Sequence, residues 1–226
     1  LVALTQDEEA HYQYPKWWLA RLRRAYRDQW PEIVAVGNVQ PPMTLRVNQR
    51  HTTPADYLAR VVAAGIVARP LGCHGLILEK AVSVESLPGF ADGDVSVQDA
   101  GAQRAAELLA PEKGARVLDA CAAPGGKTAH LLEMVDCDLL ALDIDAKRAR
   151  RIEDNLQRLN LSASVKVADC SEVDRWWDGR QFDAILADVP CSGSGVVRRH
   201  PDIKSLRRES DIRRFAHTQS AILDAL

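Results

Sequence analysis

From Val95 onward, short apolar runs alternate with longer segments in which apolar residues recur every three or four positions. The runs ARVLDA (Ala115–Ala120), DLLALD (Asp138–Asp143), SVKVAD (Ser164–Asp169) and FDAILAD (Phe182–Asp188) read as strands. Between them, VQDAGAQRAAELLAP, GGKTAHLLEMV and DAKRARRIEDNLQRLN read as helices, and SLRRESDIRRFAHTQSAILDAL predicts a long amphipathic helix after the last strand. Strands that are apolar throughout and separated by helices imply a parallel sheet covered on both faces, with right-handed crossovers. The pattern before Val95 is different. Up to about Asn38 it is helical, with Pro15 opening PKWWLARLRRAY and placing Trp18, Leu22 and Tyr26 on one face. After the breaker QPPM, the strand TLRVN, the capped helix TPADYLARVVAAG and the strand GLILE make a small α/β appendage, closed by the turn-rich LPGFADGD.

The expected organisation is therefore a helical start over 1–38, an α/β appendage over 39–94 and a doubly wound α/β domain over 95–226. With 226 residues, 46% of them hydrophobic, a sizeable core can be buried. No apolar run approaches the roughly 20 residues that span a bilayer. The apolar run Leu1–Leu4 is too short for a signal peptide, and a first residue other than Met suggests that something precedes it. Five cysteines without C-x-x-C pairs and six scattered histidines offer no zinc spacing, so no metal is expected. Reduced thiols in a cytoplasmic protein account for them most simply, with Cys73, Cys137 and Cys170 as small buried or half-buried side chains. Trp176 and Trp177 read as packing residues. A net charge of -2 leaves any nucleic-acid contact to local basic patches.

The most informative stretch is VLDACAAPGGKTAHLLE. A buried strand ends at Asp119, a loop of small residues follows, and a helix begins near Gly126. Ligands of doubly wound sheets bind beyond the carboxyl ends of strands, and small residues let the backbone approach them. Gly126-Lys127-Thr128 imitates the end of a Walker A loop, which would make the chain a P-loop nucleotide triphosphatase. The first glycine of that motif is replaced by Cys121, however, and Pro124 removes an N–H donor. Asp143, at the tip of the second strand about 20 residues past the glycines, is placed to accept from ribose hydroxyls, which serves adenosylmethionine as well as NAD. Its competing role is a helix N-cap, which Asp145 could fill instead. Asp169 ends the third strand, where it could meet an adenine edge.

The segments DACAAPGGKT, ALDID, VADC, ADVPCSGSGV and RRHPDIK together resemble the RNA 5-methylcytosine methyltransferases of the Nop2/Sun type, and the resemblance spans nearly the whole chain. It implies a Rossmann-like class I methyltransferase fold, incomplete on its C-terminal side, that uses S-adenosyl-L-methionine on a cytosine of 16S-type small-subunit ribosomal RNA. It further implies that Cys121, Ala122, Ala123, Pro124, Gly125, Gly126, Lys127, Asp143, Asp169 and Asp188 contact the cofactor, with Asp188 also near the base. The family's nucleophile is a cysteine in a Thr-Cys-Ser motif expected beyond Leu226, and Cys191 corresponds to the cysteine that assists product release. The alternative is that Cys191 itself attacks. A fragment that binds cofactor and RNA without turnover is the other function class. Upstream, the family carries an RNA-binding domain similar to the antitermination factor NusB.

Basic residues cluster after the presumed base loop, and Arg198, Arg199 and Lys204 are expected to contact RNA phosphates. An ion pair between Glu209 and Arg213 is the bland alternative for part of that run. The 39–94 appendage is also expected to bind RNA, and a monomer without membrane attachment is expected.

Overall fold

A computed structural model describes residues 7–226, so the Leu1–Leu4 run lies outside the described residues. The chain forms two compact units. The larger holds Pro42–Val189 with Ile222–Leu226, and the smaller holds the chain up to Pro41 with Pro190–Ala221.

The larger unit contains two sheets. In the first, β1 (Met43–Val47), β2 (Ala68–Leu71), β3 (Gly75–Leu78) and β4 (Val95–Val97) are antiparallel in the order β2-β3-β1-β4. Helix α4 (Pro54–Ala63) starts where Thr53 accepts from the Asp56 N–H with Pro54 in the first turn, and it packs Tyr57 and Val61 against Leu45, Val47 and Leu76. Strand β2 was not expected. Its ARPL sequence has no apolar alternation, and Pro70 is tolerated because β2 is an edge strand. Strand β4 pairs Val97 with Leu45, so this sheet continues past the Asp94 boundary read from the turn residues.

In the second sheet, β5 (Arg116–Asp119), β6 (Asp138–Asp143), β7 (Ser164–Val167) and β8 (Ala184–Leu186) are parallel in the order β7-β6-β5-β8. Helices α5 (Ala100–Leu109), α6 (Gly126–Met134) and α7 (Ala146–Arg158) alternate with these strands. This is the doubly wound α/β arrangement expected, with its order reversing between β5 and β8. Consecutive residues of β5 face opposite cores. Val117 packs with Leu131 and Ile152, while Leu118 packs with Leu142, Trp176 and Ile222. Trp176 is thus a core residue as expected, whereas Trp177 is exposed.

The smaller unit is helical. The segment read as one helical start is three helices, α1 (Glu8–Tyr12), α2 (Lys16–Tyr26) and α3 (Trp30–Gly37), interrupted by Gln13 in the left-handed region. Its core joins Tyr14, Trp18, Leu19 and Val34 to Val197. Of the face formed by Trp18, Leu22 and Tyr26, Trp18 is buried, Leu22 is partly buried and Tyr26 is 49% exposed, while Leu19 is fully buried. The long C-terminal helix is divided: α8 (Ile203–Leu206) ends at an extended Arg207, and α9 (Glu209–Ala225) follows. Glu209 pairs with Arg21 at 3.1 Å rather than with the expected Arg213. Among the described residues no helix is long and apolar enough to cross a membrane, and no group of three or more His, Cys, Asp or Glu is placed to hold a metal ion.

Candidate cofactor site

The loop between β5 and α6 is held from several directions. The Ala120 N–H donates to the Leu186 carbonyl and the Ala122 N–H to the Leu142 carbonyl, which ties the loop to both neighbouring strands. On its outer side, Asn155 donates to the Pro124 carbonyl at 2.7 Å and Arg148 to the Ala123 carbonyl at 3.1 Å. Gly125 turns the chain with φ +93°, and a Cβ there would sit 3.0 Å from the Ile152 Cα. Only glycine meets both demands. It is also the N-cap of α6 and supplies no side chain, so the first-turn N–H groups carry no side-chain cap. An uncapped helix start beside small residues suits an anionic or polar ligand.

Carboxylates surround this loop. Asp143, at the tip of β6, is buried and accepts from the Ala123 N–H at 3.2 Å and the Asp145 N–H at 3.1 Å. It is not the cap of α7, because Asp145 fills that place by accepting from the N–H groups of Lys147 and Arg148. Lys127 reaches from the first turn of α6 to Asp188, with Nζ 2.5 Å from Oδ2. Asp169, two residues past β7, accepts from the N–H and hydroxyl of Ser171. Sequence reasoning passed over Asp119. Its side chain is 0% exposed, Oδ2 accepts from the Thr128 hydroxyl at 2.7 Å, and Oδ1 has no partner. Burial pushes its carboxyl up to about 6. The available signal was a carboxylate closing a buried strand with a threonine nine residues later. Cys121 lies with Sγ 3.9 Å from that of Cys170, and this contact together with burial raises its thiol.

Residues 106–226 match the family described as 16S rRNA methyltransferase RsmB/F, and residues 14–85 match the RsmF/B-like, ferredoxin-like domain. The chain belongs to the 16S rRNA methyltransferase RsmB/F family. Within it, the chain is similar to the ribosomal RNA small subunit methyltransferase B of Vibrio cholerae serotype O1, at 49% identity over 98% of this chain and 52% of that protein. The Serratia proteamaculans protein of the same name is 47% identical over 100% of this chain and 53% of its own length. The chain thus spans about half the length of the curated relatives it matches. A solved methyltransferase homolog protein from Pyrococcus horikoshii, 27% identical, has a TM-score of 0.82 over 96% of this chain and 70% of that one. The parallel sheet is accordingly that of a class I methyltransferase.

For this family member, the larger unit gathers Cys121–Lys127, Asp143, Asp169 and Asp188 at the carboxyl ends of β5 to β8. The other expected site residues belong to the smaller unit. Cys191 is exposed, and its Sγ accepts from the Gly193 N–H at 3.4 Å. Arg198 donates to the carbonyls of Val39 and Gln40, each at 3.1 Å, and Arg199 is half-buried. Lys204 is 6% exposed, donates to the Asn38 side chain and stands 4.2 Å over the Tyr14 ring. Of the cysteines expected to be buried or half-buried, Cys73 is exposed.

Proposed function

We propose that this chain is the S-adenosylmethionine-binding part of an enzyme that methylates C5 of a cytosine in small-subunit ribosomal RNA. The observation that carries the reading is the buried Asp143 carboxylate held against the Ala123 N–H, beside an α6 start that no side chain caps. Residues Cys121–Lys127 would line the methionine end, Asp143 would accept from the ribose hydroxyls, and Asp169 would meet the adenine edge. The unpartnered Oδ1 of Asp119 fits a site that receives a positively charged or hydrogen-donating group. The cofactor would supply an electrophilic methyl group. Asp188 would stand near both cofactor and base.

C5 of cytosine is a weak nucleophile until a thiolate adds at C6 and makes the ring enamine-like. After methyl transfer, a base takes the C5 proton and the C6–S bond breaks, returning the electron pair to sulfur. The base must leave its stack for this to happen. No Thr-Cys pair occurs in these 226 residues, so the attacking cysteine would lie in the rest of the full-length protein, and Cys191 would assist release. That absence also favours a second reading, in which this chain alone binds cofactor and RNA without turnover. RNA contact is proposed for the 39–94 region and for the smaller unit through Arg198 and Arg199, whereas Lys204, buried under Tyr14 and Asn38, is turned to the unit's own packing and not to a phosphate. The smaller unit has twelve Lys and Arg against eight Asp and Glu, whereas the larger has 17 against 23. A triphosphatase reading has less support: Cys121 and Pro124 replace parts of the phosphate nest, and the Lys127 ammonium is engaged by Asp188.

Transfer of a labelled methyl group from S-adenosylmethionine to small-subunit ribosomal RNA by the full-length protein tests the activity. A Cys191→Ala variant should leave an RNA–protein adduct that persists. Loss of methylation with no adduct would make Cys191 the nucleophile.

A further inference from the structure

Arg46, the fourth residue of β1, is 1% exposed and takes no part in the cofactor-loop contacts above. Four hydrogen bonds hold its guanidinium. Nε and Nη2 donate to the two Glu133 carboxylate oxygens at 2.8 and 2.7 Å, and Nη1 donates to the Gln98 side-chain oxygen at 2.7 Å and the Gly126 carbonyl at 2.8 Å. Gly126 is the first residue of α6, and Glu133 lies in its last turn. One side chain of the antiparallel sheet therefore grips α6 at its first carbonyl and, through the backward-reaching Glu133, near its end.

Stability alone is a weak account of this arrangement. A buried ion pair contributes little more than well-packed apolar residues of the same volume, because both charges lose their hydration. A cation at a helix start also opposes the helix dipole. The planar fork of arginine does provide fixed direction: two donors saturate Glu133, and a third is aimed at the Gly126 carbonyl. That carbonyl adjoins the turn at Gly125 and the first-turn N–H groups of α6.

We infer that Arg46 is a positioning residue for the cofactor loop, setting the α6 start, and Lys127 with it, from outside the parallel sheet. The inference rests on the reading that this loop holds S-adenosylmethionine. Arg46 touches no cofactor and acts through Gly126.

Arg46→Lys isolates the contact. A lysine keeps a charge for Glu133, but its single ammonium cannot also reproduce the fork to Gln98 and Gly126. Two readouts on this chain are needed, calorimetric affinity for S-adenosylmethionine and amide hydrogen exchange by residue. The expected result is affinity weakened about tenfold, the scale on which supporting residues act at other sites. Exchange should quicken at Gly126–Thr128 but not in β5 or β6. Were Arg46→Lys to fail to fold, Arg46→Met combined with Glu133→Leu removes both charges and should give a folded protein with the same weakened affinity. A folded variant of either kind that binds as the wild type does and shows unchanged exchange in the loop overturns the inference and leaves the cofactor reading intact. Failure of the wild-type chain itself to bind overturns both.

Discussion

The Lys127 ammonium lies 2.5 Å from a carboxylate oxygen of Asp188, which links the first turn of α6 to the chain just past β8. Asp188 is 57% exposed, and pairs of this kind contribute at most about 1 kcal/mol to stability. Asp188→Asn should therefore leave the melting temperature nearly unchanged while lowering affinity for S-adenosylmethionine severalfold. A marked loss of stability with unaltered affinity would show that the pair is structural.

Asp143 should behave differently. Its two oxygens accept from the Ala123 and Asp145 N–H groups in a buried position. Asp143→Ala leaves both donors unsatisfied, which costs about 1–3 kcal/mol of stability by denaturant unfolding. Affinity for the cofactor should fall about tenfold or more. Asp143→Ala binding with wild-type affinity would remove Asp143 from the site.

Two buried groups give stability opposite pH dependences. Burial raises Asp119 from 3.8 to about 6, so the native state keeps a proton that the unfolded chain has lost, and stability falls as pH rises through that window. Burial, with Arg46 and His74 nearby, lowers His130 from 6.5 to about 3, so the unfolded chain gains a proton first and stability falls as pH drops. Each slope is about 1.4 kcal/mol per pH unit, and between about pH 4 and 6 they offset one another. Relative to the wild type, Asp119→Asn should gain stability with rising pH across this range, and His130→Phe should lose it. Unfolding curves at four or five pH values are enough, and variants whose profiles run parallel to the wild type would contradict this account.

Gly125 and Gly114 offer a matched pair. Both have positive φ, +93° and +79°, but a Cβ at Gly125 meets the Ile152 backbone at 3.0 Å while Gly114 has open space around it. Gly114→Ala should cost about 1–2 kcal/mol from backbone strain alone. Gly125→Ala should cost more than that and abolish cofactor binding, because the loop must move to admit the methyl group. Equal costs at the two positions would argue against the tight loop.

Much of the parallel sheet was legible because its strands are unbroken apolar runs. DLLALD became β6 with no residue lost at either end, and the Gly125–Gly126 turn with its carboxylate neighbours followed from the same pattern. What escaped depended on partners distant in the chain. Strand β2 exists only through its pairing with β3, the long C-terminal helix breaks at Arg207, and Lys204 looks like a solvated cation until Tyr14 and Asn38 cover it. Arg46 reads as the polar position of an alternating strand. Its meaning comes from Glu133, 87 residues away, and from a second layer packed over β1.

The crevice beyond β5 and β6 is proposed to take a sulfonium nucleoside. Calorimetric titration of this chain with S-adenosylmethionine, run beside magnesium ATP, tests it most directly. Saturable binding of the first, weakened by Asp143→Ala and undisturbed by ATP, is the expected result. Binding of ATP in preference, with none of S-adenosylmethionine, would contradict it.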